Sequence, residues 1–499
     1  MSQSTADPLL GNGSAPDASY GSLNSDGTDT TKAQGRAWLG GKNIMLLGSI
    51  MLTTNNISGP AQLQLPAVFQ ASGWLVPACV CLLLSACSSL AAAFLSEAIA
   101  RVPSNSYSYE RRVEYHDAFE LGGGLGCGLG ARAWGAVAHV LFMACLLSQL
   151  LASMVQTAGV VDAFLVAATG STSALVVGSD APGGGVRAVT WSPGQCDRAA
   201  NPYCVPFQGG GGGGLYLTAG YGVLAAAMAP LSLMNLDENI AVQGFSFALL
   251  LGTSCIICWH FASRPELDFS RVPAVGSDPF GSLGTLVFNY AFIVFVPSWL
   301  NEKQPGVSVN RVVWCSTSIA TVMFVAMGVL GAASYEAVEP NMLLVLMDGG
   351  HAMKVTAIIF GVGIIGLGMP CMQIMVRYSM LARFPRFPRA VALASGLTPW
   401  LLGWMLYRGR LASDLINWSG LTVNGLTNFV APLALAHRLL KKGAPSRGSL
   451  GGVEVAPAAC LVCCGCGDLR GREGKLALGL LLVLVPLSVW ATVSSMASA

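Results

Sequence analysis

Apolar runs of about twenty residues recur along this chain, separated by short polar or charged stretches, and a helix of that length crosses the hydrocarbon of a bilayer. On that criterion spans are expected near 43–70, 74–100, 133–165, 215–234, 240–261, 281–300, 311–335, 353–377, 390–407, 413–437 and 476–497. The pattern predicts an all-α polytopic membrane protein with about eleven transmembrane helices. Residues 1–42 carry no apolar run and read as a disordered tail. Residues 43–437 hold ten of the expected spans, with a long Gly-rich loop at 166–214. A basic, Cys-containing loop at 438–475 precedes the eleventh helix and short C-terminus at 476–499.

The first expected span breaks its own pattern. Thr53-Thr54-Asn55-Asn56-Ile57-Ser58-Gly59-Pro60 places polar residues and a helix-breaking pair in mid-membrane, between strong helix formers. Unwound backbone at that depth is tolerated only where it is buried in protein or lines a cavity. Two half-helices joined by an unwound segment are therefore expected. The freed amides and the start of the second half-helix near Ala61 would attract a carboxylate. Asn55, Asn56, Ile57, Ser58 and Gly59 become candidate solute-binding residues; the alternative is an ordinary proline kink in a packed helix.

Two further spans carry polar stripes. Asn417, Asn424 and Asn428 fall within about 40° of one another on a helix, and Gln149, Ser153 and Gln156 repeat the arrangement. Such stripes either touch a solute or hydrogen-bond between helices. Gln149 and Asn424 join the binding candidates.

Composition agrees with lipid as the solvent, since 53% of residues are hydrophobic and only 10% charged. The 27 basic and 25 acidic side chains nearly cancel, which argues against a nucleic-acid partner. Their placement is more telling. With the N-terminus in the cytosol, twenty Lys and Arg fall inside and seven outside, and the positive-inside rule favours that orientation. Cys196 and Cys204 then lie in the outer loop, where a disulfide between them is expected. Cys460, Cys463, Cys464 and Cys466 lie inside with no His nearby; inert thiols come first, lipid attachment next and zinc last. Plasma membrane and acidic vacuolar or lysosomal membranes fit this multi-pass topology equally.

The motifs resemble the amino acid/auxin permease family of secondary transporters, over roughly residues 40–437. Ile57-Ser58-Gly59-Pro60 followed by Leu65-Pro66-Ala67-Val68-Phe69-Gln70-Ala71-Ser72-Gly73-Trp74 is similar to that family's first helix and its Leu-Pro-x-x-Phe continuation. Phe288-Asn289-Tyr290-Ala291-Phe292, running to Val296-Pro297-Ser298-Trp299-Leu300-Asn301-Glu302, is similar to its sixth helix and closing acidic residue. The resemblance implies two inverted five-helix repeats plus a final helix, and an amino acid held where the first and sixth helices unwind, with Asn289 and Tyr290 at the second break. The sixth span here has no Gly or Pro between Thr285 and Val296, so its own residues do not announce that break. Auxin and other amines are carried within the same family, so membership leaves the solute open.

No cofactor or metal is expected. Proton coupling is favoured over sodium, because the eighth span offers a hard cation only the Thr356 hydroxyl. His139 in the third span is a candidate proton carrier, although a structural histidine is the commoner case. Glu97, Asp162, Asp237 and Glu238 sit at span ends or in short loops and read as solvated charges. The five histidines are scattered, and Gly361-Val362-Gly363-Ile364-Ile365-Gly366 meets the dinucleotide pattern only inside an apolar span, where helix packing explains it better, so an enzyme is not expected. Partners are a small-molecule amino acid and membrane lipid, with no obligate protein partner. The rival from another class is a membrane solute sensor that keeps the same pocket without sustained transport.

Overall fold

The computed structural model describes residues 40–441, apart from 103–104, 106–108, 126–127, 178–184, 197–205, 208–214, 281–282, 340, 348 and 408–410, together with residue 479. The tail 1–39, the basic loop 442–475 and the eleventh expected span at 476–497, residue 479 excepted, lie outside the described residues. So does Cys204, while Cys196 is disulfide-bonded.

The first expected span is two helices, α1 (Leu46–Ile57) and α2 (Leu65–Ser72), joined through Ser58, Gly59 and a 3₁₀ turn at Pro60–Gln64. Ser58 leaves the helix at φ −84°, ψ 72° and Gly59 is extended. The Gly59 N–H turns to Ile57 O and Pro60 has no N–H to give, so no helical donor returns to the Asn55 and Asn56 carbonyls. Pro60 opens the next turn, where its missing donor costs nothing.

The continuous helices follow: α3 (Leu75–Ala100), a short α4 (Tyr115–Leu121), α5 (Ala131–Thr169), α6 (Ala219–Met228) and α7 (Ile240–Ala262). The loop after α5 is more ordered than its glycines suggest. β1 (Thr172–Val177) pairs antiparallel with both β2 (Val186–Trp191) and β3 (Leu215–Thr218). The β-branched runs on either side of the glycines supply the strands.

The sixth span is also broken. α8 (Leu283–Asn289) stops, a 3₁₀ turn covers Ile293–Phe295, and α9 (Val296–Glu302) resumes. Every residue in its apolar window is buried, so this span lies inside the bundle. α7 instead exposes Phe245, Ile256 and Trp259, the arrangement of a lipid-facing helix.

After α10 (Val309–Ser334) and the short α11 (Met342–Met347), the eighth span runs α12 (His351–Phe360), a π segment at Gly361–Gly366 and α13 (Leu367–Arg383). α14 (Pro388–Gly403) follows. The tenth span is α15 (Leu411–Ser419), π turns at Gly420–Asn424 and Leu426–Val430, and α16 (Ala431–Lys441).

Among the described residues six helices or helix pairs are long and apolar enough to cross a membrane. α10 packs against α1, α2 and α3, while α5 packs against α4, α6, α14 and α15. α8 meets the tenth span backbone to backbone: a Cβ on Gly284 would strike Asn417 O, and one on Gly420 would strike Gly284 O. Small residues let helices approach this closely.

Of the four acidic residues expected to be solvated, Asp162 and Glu97 are buried instead, while Asp237 is half-buried and Glu238 exposed. Asp162 is fully enclosed and accepts from Thr172 Oγ1 (2.9 Å), the Gly220 N–H (2.8 Å) and Tyr407 Oη (2.5 Å). Glu97 pairs with Arg101 at 2.6 Å, and Asp237 and Glu238 both accept from backbone N–H groups. A charge at a helix end stays out of water when enough donors converge on it, and those donors come from segments far away in sequence.

Candidate functional site

The two breaks face one another across a small cavity lined by Asn56, Ile57, Gly59 and Pro60 of the first span, Gln149 of α5, Phe288 and Asn289 of α8, and Met372 of α13. It leaves about 10 Å³ open to a water-sized molecule, space for about one water. An amino acid is many times larger, so this conformation is closed around the cavity.

Unwinding without Gly or Pro needs outside help, and α5 and the tenth span provide it. Gln149 Nε2 donates to Ala291 O at 2.9 Å, and the Val294 N–H donates to Asn428 Oδ1 at 3.1 Å. Both backbone groups lie in the gap between α8 and α9, where unpartnered polar groups would be costly. Asn424 braces this arrangement by accepting from Gln149 Nε2 (3.2 Å) and donating to Ser148 Oγ (3.2 Å). The asparagines sit on π turns, a distortion that recurs at functional sites. Replacing Asn428 with Leu strands the buried Val294 N–H and is expected to cost about 1–3 kcal/mol. Thermal unfolding in detergent checks this; an unchanged midpoint would show that the brace is dispensable.

The candidates from the sequence divide between cavity and surroundings. Asn56, Ile57, Gly59, Gln149 and Asn289 line the cavity. Asn55 turns away and donates to Gln243 O (2.7 Å) and Oε1 (3.0 Å). Ser58 is buried outside the lining, with no partner for its hydroxyl. Tyr290 is bonded to Thr321 Oγ1 on α10 at 2.6 Å, and Asn424 supports Gln149 from behind. Pro60, Phe288 and Met372 were not among the candidates. The first two adjoin residues that were, whereas nothing local marks Met372.

Asn289 Nδ2 donates to Thr285 O at 3.1 Å, while its Oδ1 is buried in the cavity wall with no partner. Asn56 Nδ2 donates to Leu52 O at 2.8 Å. The cavity thus offers amide oxygens, the open carbonyl end of α1 and the donor end of the turn that starts at Pro60. Cations prefer the first two and anions the last.

One end of this bundle is clasped. Ile44 N–H donates to Glu302 O, and Gln304 N–H to Ile44 O, each at 3.0 Å, tying the approach to α1 to the end of α9. The Glu302 carboxylate, fully buried, accepts from Arg112 Nη2 (3.0 Å) and the Asp237 N–H (2.9 Å). Glu114 accepts from Ser298 Oγ (2.8 Å) and Asn301 Nδ2 (3.0 Å). Arg377 is buried and donates to Ser232 O and Met234 O, closing the turn before α7.

His139 does not stand alone. His116 of α4 lies with its ring centroid 4.9 Å away, and Ser379 Oγ is 3.1 Å from His139 Nδ1 and 3.3 Å from His116 Nδ1.

No protein-family model matches the chain, and no curated protein matches it in sequence. Among solved structures it is similar to MhsT in complex with L-phenylalanine, at 13% identity and a TM-score of 0.55, over 90% of this chain and 98% of that one. A manganese transporter from Eremococcus coleocola aligns at 9% identity and a TM-score of 0.44, over 96% of this chain and 98% of that one. At the level of the fold, then, the chain is an all-α membrane protein built like MhsT, with its first and sixth spans both discontinuous.

Proposed function

We propose that the protein is a secondary transporter that moves an amino acid across a membrane by alternating access, coupled to protons. The observation that carries this is the pair of helix breaks meeting at one closed cavity. The breaks bring to one cavity the open carbonyl end of α1, suited to an ammonium, and the start of the turn at Pro60, suited to a carboxylate. Among the described residues no charged side chain lines the cavity. A net charge on the solute would be buried without a partner, so a zwitterion with a neutral side chain fits best. The likeness in fold to a protein solved with L-phenylalanine agrees with that class.

The cycle follows from which contacts hold the ends. On one side the clasp around Glu302, Arg112 and Asp237 joins the approach to α1 to the end of α9. Because a backbone pairing fixes those two segments to each other, they move as one when that side opens. The resemblance to the amino acid/auxin permease family adds the expectation of a cytosolic N-terminus, which would make this the inner gate. Thr356 is the sole hydroxyl in the sequence of the eighth span, 353–377, and this scarcity of hard oxygen ligands favours protons over sodium as the coupling ion.

Uptake of labelled neutral amino acids into proteoliposomes, with a proton gradient and separately a sodium gradient, tests the reading. Saturable accumulation is expected under the proton gradient. No accumulation under either gradient by folded, correctly inserted protein would favour the sensor instead.

A further inference from the structure

The two histidines join three separate elements at a shared hydroxyl. His116 of α4 is 2% exposed, Ser379 of α13 is fully buried, and His139 of α5 is half-buried. His116 Nε2 lies 3.4 Å from Asp117 Oδ1, and we assign the ring hydrogen to Nε2, facing that carboxylate, which leaves Nδ1 as an acceptor. The Ser379 hydroxyl then donates to His116 Nδ1 and accepts the Nδ1 hydrogen of His139. With both imidazoles neutral the two Nδ1 atoms and the Ser379 hydroxyl are each satisfied, and the chain of donors has a single direction.

We propose that His116, Ser379 and His139 form a proton-binding site that holds α4 against α13 when neutral and releases it when a proton enters. A proton from water reaches the half-buried His139 first and can pass through Ser379 to His116. Once His116 Nδ1 carries hydrogen it donates to Ser379 Oγ, and the hydroxyl turns to the bare Nδ1 of His139, so the chain of donors is reversed and the cation is left on the more deeply buried ring. The new charge also sits in a buried pocket, with a second imidazole at a centroid distance of 4.9 Å. The protonated ring is therefore favoured where water reaches it, with α4 withdrawn.

The charges around the site do not remove this bias. Glu114, Asp117 and Glu120 belong to α4 and its cap, and Arg111 precedes it. Arg383 on α13 stands 3.9 Å from Glu120, and Arg438 on α16 donates to Gly124 O at 2.6 Å on the far side. Burial holds His116 below the ordinary histidine range; Glu114 and Glu120 oppose that and Arg383 reinforces it. A depressed value means that the neutral, closed junction is fully formed above about pH 6.5 and is lost as pH falls below it. The consequence reaches the clasp, because Glu114 lies two residues from His116 and holds Ser298 and Asn301 of α9.

Hydrogen exchange of the full chain in lipid nanodiscs reads this without knowledge of the solute. Protection of residues 109–121, corrected for the intrinsic effect of pH on exchange, is expected to fall about tenfold between pH 7.5 and 5.5. The fall should disappear in His116→Gln, with protection across Val309–Ser334 unchanged as the folding control. Ser379→Ala keeps both rings and removes the bridge, and its protection should be low at both pH values. Wild-type protection that does not change with pH would overturn the proposal. So would an acid response of equal size in His116→Gln, or a Ser379→Ala protein as protected as wild type at pH 7.5.

Discussion

Gly59→Leu is expected to cut solute flux to about one hundredth of wild type or less, equivalent to about 2.7 kcal/mol of lost binding, while leaving the protein folded and inserted. A Cβ added at residue 59 meets nothing within 4 Å, and the backbone there is extended with φ −102°, so the first carbon of a side chain strains neither neighbours nor chain. Its remaining carbons must enter the cavity, where only about 10 Å³ is open. They would stand between the carbonyl end of α1 and the Asn289 amide, where the solute is proposed to bind. Gly59→Ala adds only the Cβ and should keep much of the flux. Uptake normalised to inserted protein, alongside the thermal midpoint, makes the comparison. Full flux in the leucine variant would place the solute elsewhere; loss of flux together with a collapsed midpoint would reveal a folding defect.

Asp162→Ala should be the most destabilising single change considered, by about 3 kcal/mol or more. The carboxylate is the common acceptor for three donors from separate segments: Thr172 of β1, Gly220 at the first turn of α6, and Tyr407 after α14. Removing it strands each donor in a buried setting at about 1–3 kcal/mol apiece, partly recovered where the Thr172 hydroxyl can rotate. It also removes a negative charge from the N-terminus of α6. The unfolding midpoint in detergent should drop by several degrees, with Asp162→Asn, which still offers an acceptor oxygen, intermediate. A midpoint equal to wild type would mean that the sheet, α6 and α14 are held by packing alone.

These two residues also show where local reading works and where it stops. The break at Gly59 is written in the chain, because glycine and proline act on their own backbone whatever surrounds them. The enclosure of Asp162 is not, because its three donors lie 10, 58 and 245 positions away. Asn55 and Asn56 make the same point at closer range. Neighbours on a helix point about 100° apart, and the pairing of Asn55 with Gln243 on α7 turns Asn55 away while Asn56 lines the cavity.

By itself the sequence determined the apolar character, the positions of six spans among the described residues and the first discontinuity, since each depends on composition or on a local backbone rule, whereas the span expected from 215 begins as strand β3 and turns helical only at Ala219. Only the tertiary structure decided that the sixth span unwinds at Asn289. No breaker stands there; Gln149 and Asn428, brought in from α5 and the tenth span, replace the hydrogen bonds that the helix gives up. The polar stripes holding those residues were legible, but not whether they would meet a solute or a backbone. Gln149 does the second while lining the cavity, and the meeting of His116, His139 and Ser379 depends in the same way on how three helices pack.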